Sequence, residues 1–263
     1  MAIPGRSSVT PATDSVGVPR LSWRTADIVA VRSETAHSRS LALRVDGWQG
    51  HQAGQHVDVR LTAADGYQAQ RSYSISSAPA ANELELLVDY VPDGEVSPYL
   101  TGEARVGDRF EVRGPIGGYF IWTAAYGGPL LLVAGGSGIA PLASILAYRA
   151  AAARGLATRV LYSVRTAADI IFQERLEAWK HDDPSLMVSL TLTRSAPSDW
   201  SGHRGRIDAA MLREVAFAAA EAPLAYVCGP TAMVEQVADA LVSVGYPAGR
   251  VRTERFGPSG EST

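Results

Sequence analysis

Leu130-Leu131-Leu132-Val133-Ala134-Gly135-Gly136-Ser137-Gly138-Ile139-Ala140-Pro141 is the stretch that decides how the chain folds. An apolar run, Leu130 to Ala134, breaks into glycines, and a helix-like segment follows from Leu142 to Tyr148. The order is strand, turn, helix. An apolar run without alternation, bounded by glycine, fits a strand buried on both faces, as in a parallel sheet. The turn Gly135, Gly136, Ser137, Gly138 lets backbone N–H groups approach a phosphate closely, and Pro141 suits the first turn of a helix whose positive end faces the same anion. A tight strand-to-helix turn that binds nothing has the same spelling. Pro141 also stands where G-x-G-x-x-G has its third glycine, so the dinucleotide reading needs a second site to support it.

That second site lies upstream, in Arg71-Ser72-Tyr73-Ser74-Ile75-Ser76-Ser77. On a strand Arg71, Tyr73 and Ile75 point to one face, with Ser72, Ser74 and Ser76 on the other. A guanidinium for phosphate, a ring to stack on and a hydroxyl near a polar ring atom are what a phosphorylated planar heterocycle needs. An ordinary barrel strand with a surface arginine reads the same way. Taken in this order, the two stretches resemble the ferredoxin–NADP reductase family, whose flavin motif is R-x-Y-[ST] and whose nicotinamide motif is G-[GT]-[GST]-G-I-A-P. The resemblance spans residues 23–256.

Composition sets the outer limits. A chain of 263 residues has room for two domains with separate cores, and 46% hydrophobic against 19% charged residues places it with soluble globular proteins. A net charge of -3 provides no field for nucleic acid. No apolar run approaches the roughly 18 residues that a membrane span needs. Residues 1–20 are rich in Ser, Thr, Pro and Ala without a basic start and apolar core, so they are expected to be a disordered lead-in rather than a secretory signal. A cytoplasmic monomer is expected. Cys228 is the only cysteine, which excludes an intrachain disulfide or a four-cysteine iron-sulfur cluster within these residues. The five histidines are scattered without ligand spacing, and no metal is expected.

From Trp23 to Trp122 short strand-like runs (Ala26 to Val31, Ser40 to Val45, His56 to Leu61, Gln70 to Ile75, Glu83 to Tyr90, Arg109 to Arg113) predict a small antiparallel β-barrel, with Asp65-Gly66 as a hairpin turn. Pro92 to Leu100 interrupts them with a short helix, Ser97 its expected N-cap and Pro98 its first position. A plain capped helix explains those residues too. Gly127-Gly128-Pro129 marks the expected boundary between a flavin-binding barrel at 21–126 and an α/β nucleotide-binding domain at 127–263. Beyond it strands alternate with helices (142–154, 170–180, 208–220 and 231–244), which predicts a parallel sheet with helices on both faces. Ligands in such sheets sit beyond the carboxyl ends of the strands. Those ends carry Gly135 to Gly138, Arg165, Thr193, Arg194, and Cys228-Gly229-Pro230, with Arg204 and Arg206 further along a loop. Cations and a hydroxyl there, with no acidic residue before Asp199, favour NADPH over NADH, although loop arginines are often only solvated.

The resemblance implies roles for individual residues. Arg71, Ser72, Tyr73 and Ser74, the strand end at Val88 and Tyr90, and the turn Gly94, Glu95, Val96, Ser97 would hold the flavin, the turn and Arg71 taking its pyrophosphate. FAD is therefore preferred to FMN. Arg165 would meet the nucleotide pyrophosphate and Cys228 would lie beside the nicotinamide, where a buried apolar thiol is the alternative. Glu254 would approach the reacting rings and Phe256 would cover the flavin, although Gly257 to Thr263 follow it where plastid-type members end in Tyr. The implied reaction passes hydride from coenzyme to flavin near Ser74, Cys228 and Glu254, then electrons to a separate ferredoxin, flavodoxin, haem protein or oxygenase/oxidase component. A flavin reductase that releases its product, or a redox-sensing subunit that turns over nothing, are the rival expectations.

Overall fold

The computed structural model describes residues 21–80 and 83–257. The lead-in and the tail after Gly257 lie outside the described residues. Strands β1 (Trp23–Ser33), β2 (Ser38–Val45), β3 (His56–Thr62), β4 (Gln68–Ser74), β5 (Glu83–Asp89) and β6 (Arg109–Ile116) form an antiparallel sheet in the order β4-β3-β6-β1-β2-β5. A backbone bridge from Ile75 to Leu86 joins its two edges, so the sheet closes into a barrel. Alternation sends Ile28, Leu41, Leu43, Val57, Val59 and Val112 into the barrel core. Between β3 and β4, Gly66 adopts φ 88° and the Asp65 carboxylate accepts the Tyr67 N–H at 3.0 Å, as a hairpin turn of this composition requires. Helix α1 (Ser97–Gly102) follows β5.

The second half is a parallel sheet of β7 (Leu130–Gly135), β8 (Thr158–Val164), β9 (Leu186–Leu192), β10 (His203–Arg204), β11 (Leu224–Pro230) and β12 (Val251–Phe256), ordered β10-β9-β8-β7-β11-β12. Helices α2 (Ile139–Ala152), α3 (Gln173–Asp182), α4 (Ala209–Val215) and α5 (Thr231–Ser243) cover it. Every residue of β7 is buried, because the strand serves two cores. Leu130, Leu132 and Ala134 face one core, and Leu131 and Val133 the other. The barrel contributes Ala53, Leu87, Phe120 and Trp122 to the first of these cores, so it packs on that face of the sheet. Two polar ties cross the same contact: the Ser144 hydroxyl of α2 donates to the Ser77 carbonyl at 2.6 Å, and the Arg175 guanidinium of α3 pairs with Glu85 of β5 at 2.8 Å.

The helices differ from expectation in their limits. Helix α3 begins at Gln173 rather than Ile170, because Phe172 takes a left-handed φ of 58° that turns its ring into the core with Ile170 and Ile171. Helix α4 stops at Val215 rather than running to Ala220. Arg159 of β8 donates to the carbonyls of Val215 and Ala216 at 3.1 and 2.8 Å, which satisfies the helix end. The two-residue β10 carries no periodic signal and was not expected. Strand order reverses between β7 and β11, which places a crevice at their carboxyl ends.

Candidate functional site

Strands β4 and β12 belong to different sheets and end at the same place. The Ser74 hydroxyl donates to the Glu254 carboxylate at 3.1 Å across 180 positions of sequence. Glu254 is the parallel-register partner of Cys228 on β11, and Cys228 is buried. The three residues that the resemblance groups as catalytic candidates thus stand close together. Burial raises the Glu254 carboxyl above its ordinary range, with the Ser74 hydrogen bond pulling the other way. Burial, and then the Glu254 charge, push the Cys228 thiol well up. Cys228 is consequently a buried, neutral thiol and no activated nucleophile.

The Glu254 shift has a measurable sign. A folded carboxyl that keeps its proton to higher pH binds more protons than the unfolded chain through that window, so its contribution to stability is lost as pH rises through the raised value. Glu254→Gln keeps the shape and an acceptor oxygen for Ser74 while removing the ionisation. Its urea midpoint is expected to exceed that of the wild type at neutral pH and to converge with it near the ordinary glutamate range, about pH 4. A gap independent of pH would show that buried charge is not the difference.

On the barrel side, the half-exposed Arg71 guanidinium reaches Glu95 at 2.6 Å and the Gln70 carbonyl at 2.6 Å, and Glu95 also accepts the Tyr67 hydroxyl. This contact joins the Arg71 strand to the turn at Gly94. Tyr73 is half-buried against the barrel core, and burial keeps its phenol protonated. Ser72 faces away and donates to Asp58 at 2.6 Å, which Arg113 also holds at 2.6 Å, so this hydroxyl props the barrel. Ser97 departs from its expected role. Val96 is the N-cap of α1, and the buried Ser97 hydroxyl instead accepts the Val91 N–H at 3.1 Å, which pins the turn shut. Gly94 is packed so closely that a Cβ would come within 3.0 Å of the Ser97 hydroxyl and the Val91 carbonyl. Val88 and Val96 are buried in the barrel core and leave only backbone to a ligand, whereas Tyr90 is exposed. An exposed guanidinium beside a tight turn, a half-buried ring and a hydroxyl at the strand end form a donor set that fits a flavin nucleotide.

A cleft of about 690 Å³ opens between the barrel and the carboxyl ends of the parallel strands. Of the expected residues, Tyr90, Gly135, Gly136, Ser137, Arg165, Thr193, Arg194, Pro230 and Phe256 line it. Gly136 has φ 52° and nothing within 4 Å of where a Cβ would lie, so its backbone opens onto the cleft. Gly138 and Gly229 are buried where the β7 turn meets the end of β11. Arg204 does not line the cleft: its guanidinium donates to the Pro197 carbonyl at 3.2 Å, and Arg206 lines the cleft in its place. Sequence reasoning also missed His37, whose Nε2 stands 3.8 Å from Asp89 and 3.7 Å from Asp169 at the cleft, and Gln236 and Met233 of α5. The cations and the open Gly136 backbone fit a dinucleotide. Among the described residues no group of three or more His, Cys, Asp or Glu side chains is arranged to hold a metal, and no helix is long and apolar enough to cross a membrane.

A barrel with a cation, a ring and a hydroxyl on one strand, packed on a parallel sheet with a glycine turn at the shared cleft, defines a two-domain oxidoreductase for flavin and nicotinamide nucleotides. Residues 27–121 match the oxidoreductase FAD-binding domain and residues 132–239 the oxidoreductase NAD-binding domain. Over 241 residues the chain is 35% identical to ferredoxin–NADP reductase B of Sorangium cellulosum, covering 88% of this chain and 96% of that one. It is 29% identical to the ferredoxin–NAD(P)(+) reductase component of naphthalene 1,2-dioxygenase/salicylate 5-hydroxylase systems of a Ralstonia species, covering 95% of this chain and 74% of that one. The structure of a cytochrome P450 reductase from Amycolatopsis superposes with a TM-score of 0.80 at 27% identity, over 91% of this chain and 71% of that one. The chain belongs to the ferredoxin–NADP reductase family, and it is an NAD(P)H-dependent flavoprotein oxidoreductase that binds FAD.

Proposed function

We propose that the protein takes hydride from NADPH, with NADH as the weaker donor, onto FAD at the Ser74–Glu254 junction and delivers the electrons to a separate ferredoxin, flavodoxin or oxygenase component. The observation that carries this reading is the 3.1 Å contact between Ser74 and Glu254, which joins the strand of Arg71 and Tyr73 to the last strand of the coenzyme domain. FAD, when bound, supplies the capacity to accept a hydride and return electrons singly. The protein supplies alignment. Arg71 would hold flavin phosphate, the Tyr73 ring would support the flavin, and the Ser74 hydroxyl would orient its reacting edge. Cys228 would close the nicotinamide side without adding charge, and Glu254 would fix the Ser74 hydroxyl and relay or hold a proton. Geometry is the chief demand in hydride transfer, and two domains tied through Ser144 and Arg175 keep that geometry. We take residues 21–126 and 127–263 as the two domains and the protein as cytoplasmic and monomeric; elution at twice the mass of one chain would overturn the monomer. The relatives' roles in ferredoxin and dioxygenase systems support a protein acceptor.

The coenzyme preference rests on Thr193, Arg194 and Arg206 at the cleft. Arg206→Ala is expected to weaken NADPH by about tenfold to a hundredfold and to leave NADH alone, the loss of one charge-assisted phosphate contact. Arg204→Ala should change neither, and equal losses for both coenzymes in the Arg206 variant would remove the 2'-phosphate assignment. The whole reading is tested by an anaerobic visible spectrum before and after stoichiometric NADPH and, separately, NADH. Bleaching of a flavin band supports the reductase; binding without bleaching points to a sensing subunit, and reduced flavin recovered in the filtrate points to a flavin reductase.

A further inference from the structure

Tyr67, Arg71 and Glu95 come from three segments, the β3–β4 hairpin, β4 and the turn after β5, and meet at one point. Both carboxylate oxygens of Glu95 are engaged, Oε1 by the Tyr67 hydroxyl and Oε2 by the Arg71 guanidinium. These two partners, Tyr67 first, hold the Glu95 carboxyl below its ordinary range, so the group is an anion near neutral pH. The pair contributes little to the fold, since the Arg71 and Glu95 side chains are 52% and 42% exposed. A carboxylate beside the arginine that is to take flavin phosphate works against a bare phosphate.

We propose that Glu95, with Tyr67, selects the flavin: its carboxylate accepts the ribose hydroxyls of an adenosine half and repels a terminal phosphate, so that the site takes FAD and refuses FMN. The proposal rests on the assignment of Arg71 to flavin phosphate. The terminal phosphate of FMN carries about −1.5 to −2 near neutral pH, as any phosphate monoester does, and meets an arginine whose charge Glu95 already offsets. The linked phosphates of FAD carry about one charge each, and behind them come hydroxyls of the kind that a carboxylate at a nucleotide site holds. Tyr67, a residue 57% exposed, offers an aromatic ring beside the carboxylate on which a purine can stack.

The test is calorimetric titration of the apoprotein, stripped of flavin, with FAD and with FMN. The wild type is expected to bind FAD at least about tenfold more tightly, Glu95→Gln to gain about tenfold for FMN without gaining for FAD, and Tyr67→Ala to lose about tenfold for FAD alone. A wild type that binds both flavins equally, or a Glu95→Gln variant that shifts both in parallel, overturns the proposal. Arg71→Ala separates the two levels. If it loses both flavins while Glu95→Gln leaves the ratio intact, the phosphate assignment stands and the selection by Glu95 fails; if it keeps both, the assignment itself fails.

Discussion

Arg71→Ala is expected to leave the protein folded and colourless. Arg71 is half exposed on β4, and its partners are the exposed Glu95 and a neighbouring backbone carbonyl, so the barrel loses no core contact with it. Flavin binding loses much more. A charge-assisted hydrogen bond of this kind contributes roughly 1.5–3 kcal/mol, which converts to FAD binding weaker by about tenfold to a hundredfold. Flavin content after gel filtration and the dissociation constant of added FAD give the result, and Arg71→Lys should fall between, because an ammonium keeps the charge without the planar fork. A variant that elutes with the flavin content of the wild type would mean that phosphate is held elsewhere.

What made Arg71 legible is that a strand sorts its side chains by alternate faces, so a cation, a ring and a hydroxyl within four residues state their arrangement directly. The same holds for Leu130 to Ala134, where burial on both faces leaves an uninterrupted apolar run. Features set by distant partners could not be read in this way. Ser97 before Pro98 spells a capped helix, yet its hydroxyl is claimed by the Val91 N–H of the preceding turn. The early end of α4 follows from Arg159, 56 residues away. Arg204 and Arg206 look equivalent in sequence, but Gly205 adopts φ 91° between them, and only the second lines the cleft. The meeting of Ser74 with Glu254 was implied by the family resemblance alone, because nothing local says that a barrel strand and the last parallel strand will meet. The domain ties through Ser77 and Glu85 had no sequence signal at all.

Gly138→Ala should produce the larger loss of coenzyme-driven reduction, and its reason lies in packing rather than in backbone freedom. Gly138 has φ −63° and ψ −7°, a conformation open to any residue. Its constraint is that a Cβ would run into the carbonyl of Cys228, which is backbone and cannot rotate aside, and would lie 2.8 Å from the Gly229 nitrogen. The added methyl group must therefore push the β7 turn away from the end of β11. Overpacking of this sort costs about 1–3 kcal/mol of stability. The catalytic cost is greater on the proposed reading, in which the displaced elements are the two that would bracket the nicotinamide, and a shift of about 1 Å in a reacting group can cost about a hundredfold in rate. Gly136→Asn is the informative contrast. Gly136 has open space around it and only a positive φ of 52°, which asparagine tolerates better than most residues, so a milder effect is expected there. Stopped-flow reduction by NADPH at saturating flavin measures both variants. If Gly138→Ala reduces its flavin at the wild-type rate, the turn is not held against β11 for catalysis, and the close contact serves the fold alone.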